Sequence, residues 1–185
     1  MIWYALLVAA VAAERLAELV VARRNERWSV ARHAIVAGQG HYPAMVALHA
    51  SLLIGCPVEV WLGGRPFVPA LAWPMLAVLV GAQALRWWCI GTLGPRWNTR
   101  VIVVPGLPLV ARGPYRLLRH PNYVAVVAEG VALPLVHTAW VTALVFTVLD
   151  AVVLTVRIRC ENRALAAATA MPTPAAAPAS ASAPA

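Results

Sequence analysis

The sequence predicts an all-α integral membrane protein with five transmembrane helices, the last two forming a hairpin, its N-terminus outside and its C-terminus cytoplasmic. Three observations predict it. Of 185 residues, 62% are hydrophobic and only 12% charged, with mean hydropathy +0.74, whereas a soluble domain carries roughly 25% charged residues. Apolar runs of spanning length recur along the chain. The 15 basic residues are all arginine, and they gather at the ends of those runs instead of forming a solvated stripe. The net charge of +8 therefore reports membrane orientation, and no nucleic-acid partner is expected.

A bilayer-spanning helix needs about 20 apolar residues, with roughly 17 to 25 tolerated. Residues 2–21, 43–62 and 68–90 meet that length. The opening "MIWYALLVAAVAAERLAELVVARR" lacks a basic leader region and reads as a retained first span. Residues 124–156 are too long for one helix and contain "LPLVHTAW", where Pro134 removes a backbone donor and His137-Thr138 supplies turn character. That run is expected to fold as a hairpin of two spans. Arg23, Arg24, Arg27 and Arg32 follow span one, Arg96, Arg100, Arg112, Arg116 and Arg119 precede span four, and Arg157, Arg159 and Arg163 follow span five. These three segments should be cytoplasmic, because cytoplasmic loops collect arginine. Residues 1–91 thus hold three spans, 92–165 a cytoplasmic connector and the hairpin, and 166–185 a disordered Ala/Pro/Ser tail. Cys56, Cys89 and Cys160 have no metal-ligand spacing and read as inert thiols, so no metal is expected.

Polar residues inside apolar helices mark sites or packing contacts. Glu14 and Glu18 share a face of span one, and Arg15 is placed to pair with Glu18 as an ion pair that fixes packing. His49 reads as a core histidine, and Arg86 as a snorkelling side chain. On span four, Asn122 and Glu129 fall near one face while Tyr123 points about 120° away. On span five, Asp150, Arg157 and Glu161 form a second stripe. Antiparallel helices carrying two such stripes should enclose one polar pocket, open toward the cytoplasm at "RHPNY" and "RIRCEN".

With these residues in place, residues 92–165 resemble the isoprenylcysteine carboxyl methyltransferase superfamily of integral membrane methyltransferases. The resemblance is carried by "GPY", "RHPNY", the hairpin, and "RIRCENRAL", which is similar to the family's Arg-Ile-x-x-Glu-Glu pattern. Upstream, "GHYPAMVALH" and "LGPRWNTRVIVVPG" resemble the bacterial branch whose members methylate alkylpyrone-type lipids. The resemblance implies S-adenosylmethionine as cofactor, in a cytoplasmic pocket where His120, Tyr123 and Glu161 contact it, Arg119 and Pro121 shape its mouth, and Arg157 completes the binding set. Ala125 stands where many members have Gly, and Asn162 replaces the second Glu.

The residue types suit that chemistry. A sulfonium is cationic, so a carboxylate such as Glu161 and an aromatic face such as Tyr123 stabilise it. An acidic enol or carboxylate acceptor attacks unaided, whereas a phenol needs a base, for which Glu129 and His120 are the catalytic candidates. The expected activity is O-methylation of a lipophilic small molecule that enters laterally from the bilayer, on the cytoplasmic side of a bacterial membrane, with the membrane lipids as the chain's other partner. An NADPH-dependent membrane reductase and a non-enzymatic adaptor or transporter are the alternatives. A phosphate-rich cofactor would demand more basic contacts, and no internal repeat supports transport. "AIVAGQGHYP" lacks the strand-turn-helix context of a Rossmann loop.

Overall fold

The computed structural model describes residues 2–170. Five long helices appear where the apolar runs predict them: α1 (Ile2–Val30), α2 (Tyr42–Leu62), α3 (Pro69–Leu93), α4 (Pro121–Leu135) and α5 (Trp140–Ala170). Prolines open α3 and α4 at their first helical position, where the missing N–H costs nothing. Three segments are long and apolar enough to cross a membrane: Gln39–Leu62, Pro69–Arg96 and Trp140–Ala168. Of the five expected spans, α1 is interrupted by Glu14, Arg15 and Glu18, and α4 has only 15 residues, about 22 Å of rise.

α4 is sheathed by its neighbours α3, α5 and α2. Its contact with α5 is close at one point. A Cβ added at Gly130 would stand 2.1 Å from Phe146 Cε1, so the helices approach to a distance that only glycine allows there. The hairpin turn falls at residues 136–139, just past Pro134, which ends up inside the last turn of α4. Tyr4 Oη of α1 donates to the Leu133 carbonyl at 3.0 Å, serving one of the orphan acceptors at the end of α4.

The far end of the hairpin is clasped. Glu59 of α2 accepts from the backbone N–H groups of Val141 (3.2 Å) and Thr142 (2.7 Å) and from Thr142 Oγ1 (2.7 Å), placing a carboxylate on the N-terminus of α5. Thr138 Oγ1, in the turn, donates to the Pro66 carbonyl at 2.7 Å.

Two details depart from the sequence reading. A two-stranded antiparallel sheet, β1 (Ile35–Ala37) and β2 (Val101–Val103), joins the α1–α2 connector to the α3–α4 connector. Both strands are aliphatic, β1 running into Gly38 and β2 stopping two residues short of Pro105, a strand signal too short to register against five long helices. Helix α5 also continues to Ala170, five residues into the segment 166–185 expected to lack structure, because the alanines there favour helix. Residues 171–185 of that tail lie outside the described residues.

Candidate active site at the sheet end of the bundle

The sheet ties the two long connectors to the end of the bundle where α3 finishes, α4 begins and α5 runs out. A cavity of about 580 Å³ opens there, within the range of small-molecule sites. Its walls come from the turn after α3, from β2 and the apolar segment that follows it, from the start of α4, and from Arg157, Glu161 and Leu165 of α5.

Four predicted residues meet at its wall. His120 precedes α4 in a non-helical conformation, Pro121 starts the helix, and Tyr123 lies within the first turn. Arg157 and Glu161 are one turn apart on α5 and reach the same phenol. Arg157 Nε donates to Tyr123 Oη at 2.9 Å, and Tyr123 Oη in turn donates to Glu161. His120 stacks on the Tyr123 ring at 5.3 Å with 23° between planes, and its Nδ1 lies 3.9 Å from Glu161 Oε2. The arrangement fixes the Glu161 carboxylate beside an aromatic face. Glu161 is the sole carboxylate among the cavity-lining residues described. Nearby, Tyr115 sits in the turn Gly113–Arg116, where burial pushes its phenol well above its ordinary pKa and keeps it a neutral donor.

Arg96, Arg100 and Arg157 also line the cavity but are engaged within the protein: Arg96 with the Pro108 carbonyl, Arg100 with Glu26, Arg157 with Tyr123 and Met45 Sδ. Among the described residues, Arg119 is the lining arginine with no protein partner. Pro121 is fully buried and does not line the cavity; its place is at the helix start.

Glu129 is not in this cavity. It is 3% exposed and sits two turns deeper, where its Oε2 takes hydrogen bonds from Arg15 Nη2 and Arg86 Nη2, each at 2.5 Å. Arg15 also binds Glu18 at 2.8 Å and Gln83 at 3.1 Å, and Arg86 Nε lies 3.5 Å from Glu18. Two arginines and two glutamates from α1, α3 and α4 thus form a closed, charge-balanced group. The expected pairing of Arg15 with Glu18 is present, and Arg86 is buried in the protein instead of snorkelling. The single pocket expected to hold Asn122 and Glu129 together is therefore two sites. Asn122 lines the cavity, while the same face of α4 two turns on meets α1 and α3. Asp150 is likewise buried away from the cavity.

Residues 75–167 match the isoprenylcysteine carboxyl methyltransferase (ICMT) family. The chain belongs to that family. It is 40% identical over 166 residues to the uncharacterized protein YpbQ of Bacillus subtilis (strain 168), covering 89% of this chain and 96% of that one. An uncharacterized protein of Haemophilus influenzae (strain ATCC 51907 / DSM 11121 / KW20 / Rd) is 26% identical over 158 residues, covering 85% and 91%. No solved structure matches the chain.

The ICMT match marks a membrane methyltransferase, and it spans the whole cavity wall together with the Arg86 and Glu129 half of the ion group. The other half, Arg15 and Glu18, comes from α1, outside the matched stretch. Three contributors escaped sequence reasoning. Met45 touches Arg157 from α2, and Trp97 and Asn98 line the cavity from the turn after α3. "LGPRWNTRVIVVPG" stood out as a motif, but only the folded turn brings those two residues to the cavity.

Proposed function

We propose that this ICMT-family chain is an S-adenosylmethionine-dependent O-methyltransferase, acting on a carboxylate, enol or phenol oxygen of a lipophilic acceptor. In this reading all five helices span a bacterial cytoplasmic membrane, with the N-terminus outside and residues 92–165 holding the catalytic region on the cytoplasmic side. Exposed Ile2, Trp3, Leu6, Leu16 and Val20 suit lipid contact along α1, and the arginine-rich connectors share the cavity's end.

The observation that carries the reading is Glu161, a lone cavity carboxylate fixed by Tyr123 against an aromatic face. That donor set fits the cofactor, as does the unpartnered Arg119, which would take its carboxylate. When bound, S-adenosylmethionine supplies an electrophilic methyl group on a cationic sulfur. Glu161 would stand against that positive charge, while Arg157 and His120, which both lie against the Tyr123 ring, keep Tyr123 and Glu161 in register. The cofactor would supply the methyl carbon to the acceptor oxygen and keep the carbon–sulfur electron pair on its sulfur, and the chain's own part would be to hold the two reactants in line. An acceptor that is already ionised needs no base, and for a phenol His120 is the proton acceptor at the wall. Glu129, held by two arginines away from the cavity, is assigned to structure.

A phosphate-rich cofactor is a poorer fit, since three of the four lining arginines are already engaged. Calorimetry in detergent with S-adenosylhomocysteine, S-adenosylmethionine and NADPH tests the choice. Binding of the first two is expected, and binding of NADPH alone would replace this reading with a reductase.

A further inference from the structure

The connector between α3 and α4 carries charge that the cavity does not use. Residues 60–128 contain no Asp or Glu, and the connector holds Arg96, Arg100, Arg112, Arg116 and Arg119. Arg96 and Arg100 are engaged within the protein, and Arg119 lines the cavity. Arg112 and Arg116 are exposed, line no part of the cavity, and have no side-chain ion-pair or hydrogen-bond partner among the described residues. Beside them Leu117 is 78% exposed and Leu118 45%. The two leucines are displayed on a fixed turn: their backbone N–H groups both donate to the carbonyl of buried Pro114, at 3.2 and 3.1 Å. The turn is in turn pinned to the end of α3. A Cβ at Gly113 would stand 2.6 Å from Thr92 Oγ1 and 3.2 Å from Trp88 Nε1, and Tyr115 lies against Cys89.

Trp88 and Thr92 belong to the last turns of Pro69–Arg96, a segment long and apolar enough to cross a membrane. With α3 as a span, the turn is level with the headgroups, where the exposed Trp87 and Trp88 also sit. A cytoplasmic excess of arginine accounts for the charges but not for two leucines held out beside them. Basic side chains next to exposed apolar ones make up a segment that lies in an anionic membrane interface. We propose that residues 112–118 form a docking surface for acidic phospholipids of the cytoplasmic leaflet, with Arg112 and Arg116 on headgroup phosphates and Leu117 and Leu118 inserted among the acyl chains. An acidic protein would satisfy the arginines, whereas only a bilayer at this level also takes the leucines. The surface stands whether or not the cavity transfers a methyl group, because none of these four residues lines it.

Native mass spectrometry of the full chain, released from mixed micelles holding equal amounts of phosphatidylglycerol and phosphatidylcholine with matched acyl chains, counts the lipids that stay bound. The wild type is expected to retain phosphatidylglycerol in preference. Arg112→Gln and Arg116→Gln should each lower that preference about fivefold, the factor equivalent to about 1 kcal/mol per basic residue at an anionic surface. Leu117→Ser with Leu118→Ser should cut retention of both lipids and leave their ratio unchanged. Arg24→Gln, exposed on α1, is the control and should keep the wild-type preference. S-adenosylhomocysteine affinity in detergent should be the same in every variant as in the wild type. Equal retention of the two lipids by the wild type would overturn the proposal, as would an Arg112→Gln, Arg116→Gln double variant with the wild-type ratio. A loss as large in Arg24→Gln would reduce the effect to diffuse net charge and overturn it too. A chain that keeps the phosphatidylglycerol preference but binds no S-adenosylhomocysteine would sink the methyltransferase reading and leave the lipid surface standing.

Discussion

Glu129→Gln separates a structural carboxylate from a catalytic one. The substitution preserves volume but leaves Arg15 and Arg86 facing one carboxylate, Glu18, where there were two. Arg86 suffers most, because its remaining contact is at 3.5 Å and the side chain is almost wholly buried. Breaking a buried ion pair in a soluble protein costs about 3 to 5 kcal/mol. Interhelical hydrogen bonds in membranes average only about 0.6 kcal/mol, since the unfolded state within the bilayer also finds partners. Here the lost partner is a charge, not a neutral group, and an unpaired arginine at depth costs about 2.5 to 3.5 kcal/mol, so about 3 kcal/mol is the expected loss. Thermal unfolding in detergent, followed through the 8 tryptophans, reads it. Arg86→Met in the same chain restores charge balance, and the double variant should recover at least half of the loss. Glu129→Gln with wild-type melting and intact S-adenosylhomocysteine affinity, yet little methyl transfer from labelled S-adenosylmethionine to a native lipid extract, would refute the structural assignment.

Other outcomes follow from the same geometry. Glu161→Gln removes the charge at the cavity wall and keeps its shape, so S-adenosylmethionine affinity should fall more than that of the uncharged-sulfur S-adenosylhomocysteine; equal losses in calorimetry would assign Glu161 to hydrogen bonding alone. Gly130→Ala drives a methyl group into Phe146, and the overpacking of about 1 to 3 kcal/mol should outweigh the better helix propensity of alanine, lowering the melting temperature. Reporter fusions at residues 30, 65, 105 and 165 should report inside, outside, inside and inside, and an extracellular signal at 165 would invert the topology.

The helices were legible because a run of apolar residues of fixed length has few other solutions, and Pro and Gly mark where it stops. The His120, Tyr123, Arg157 and Glu161 grouping was legible because helical periodicity and a hairpin suffice to bring two stripes together. Glu129 shows where that method ends. Periodicity places it on the face of Asn122, but which neighbour covers that face is decided by Arg15 and Arg86 on helices far away in sequence. The sheet was missed for a related reason: strands of three residues are defined by their partner more than by their own pattern.

The clasp made by Glu59 and Thr138 gives the α4–α5 hairpin the mechanics of a cantilever. One end is held by the end of α2 and the α2–α3 loop, and the other carries part of the cavity wall. Movement of the hairpin's share of the cavity wall is then a splay about the clasp, not a slide along the helix axes, which the Gly130–Phe146 contact also blocks. Over the length of α4, about 22 Å, a pivot of about 5° moves the Tyr123 end by about 2 Å. A rotation that small is enough to part Tyr123 from Glu161, so the clasp ties a contact at the cavity to the opposite end of the bundle.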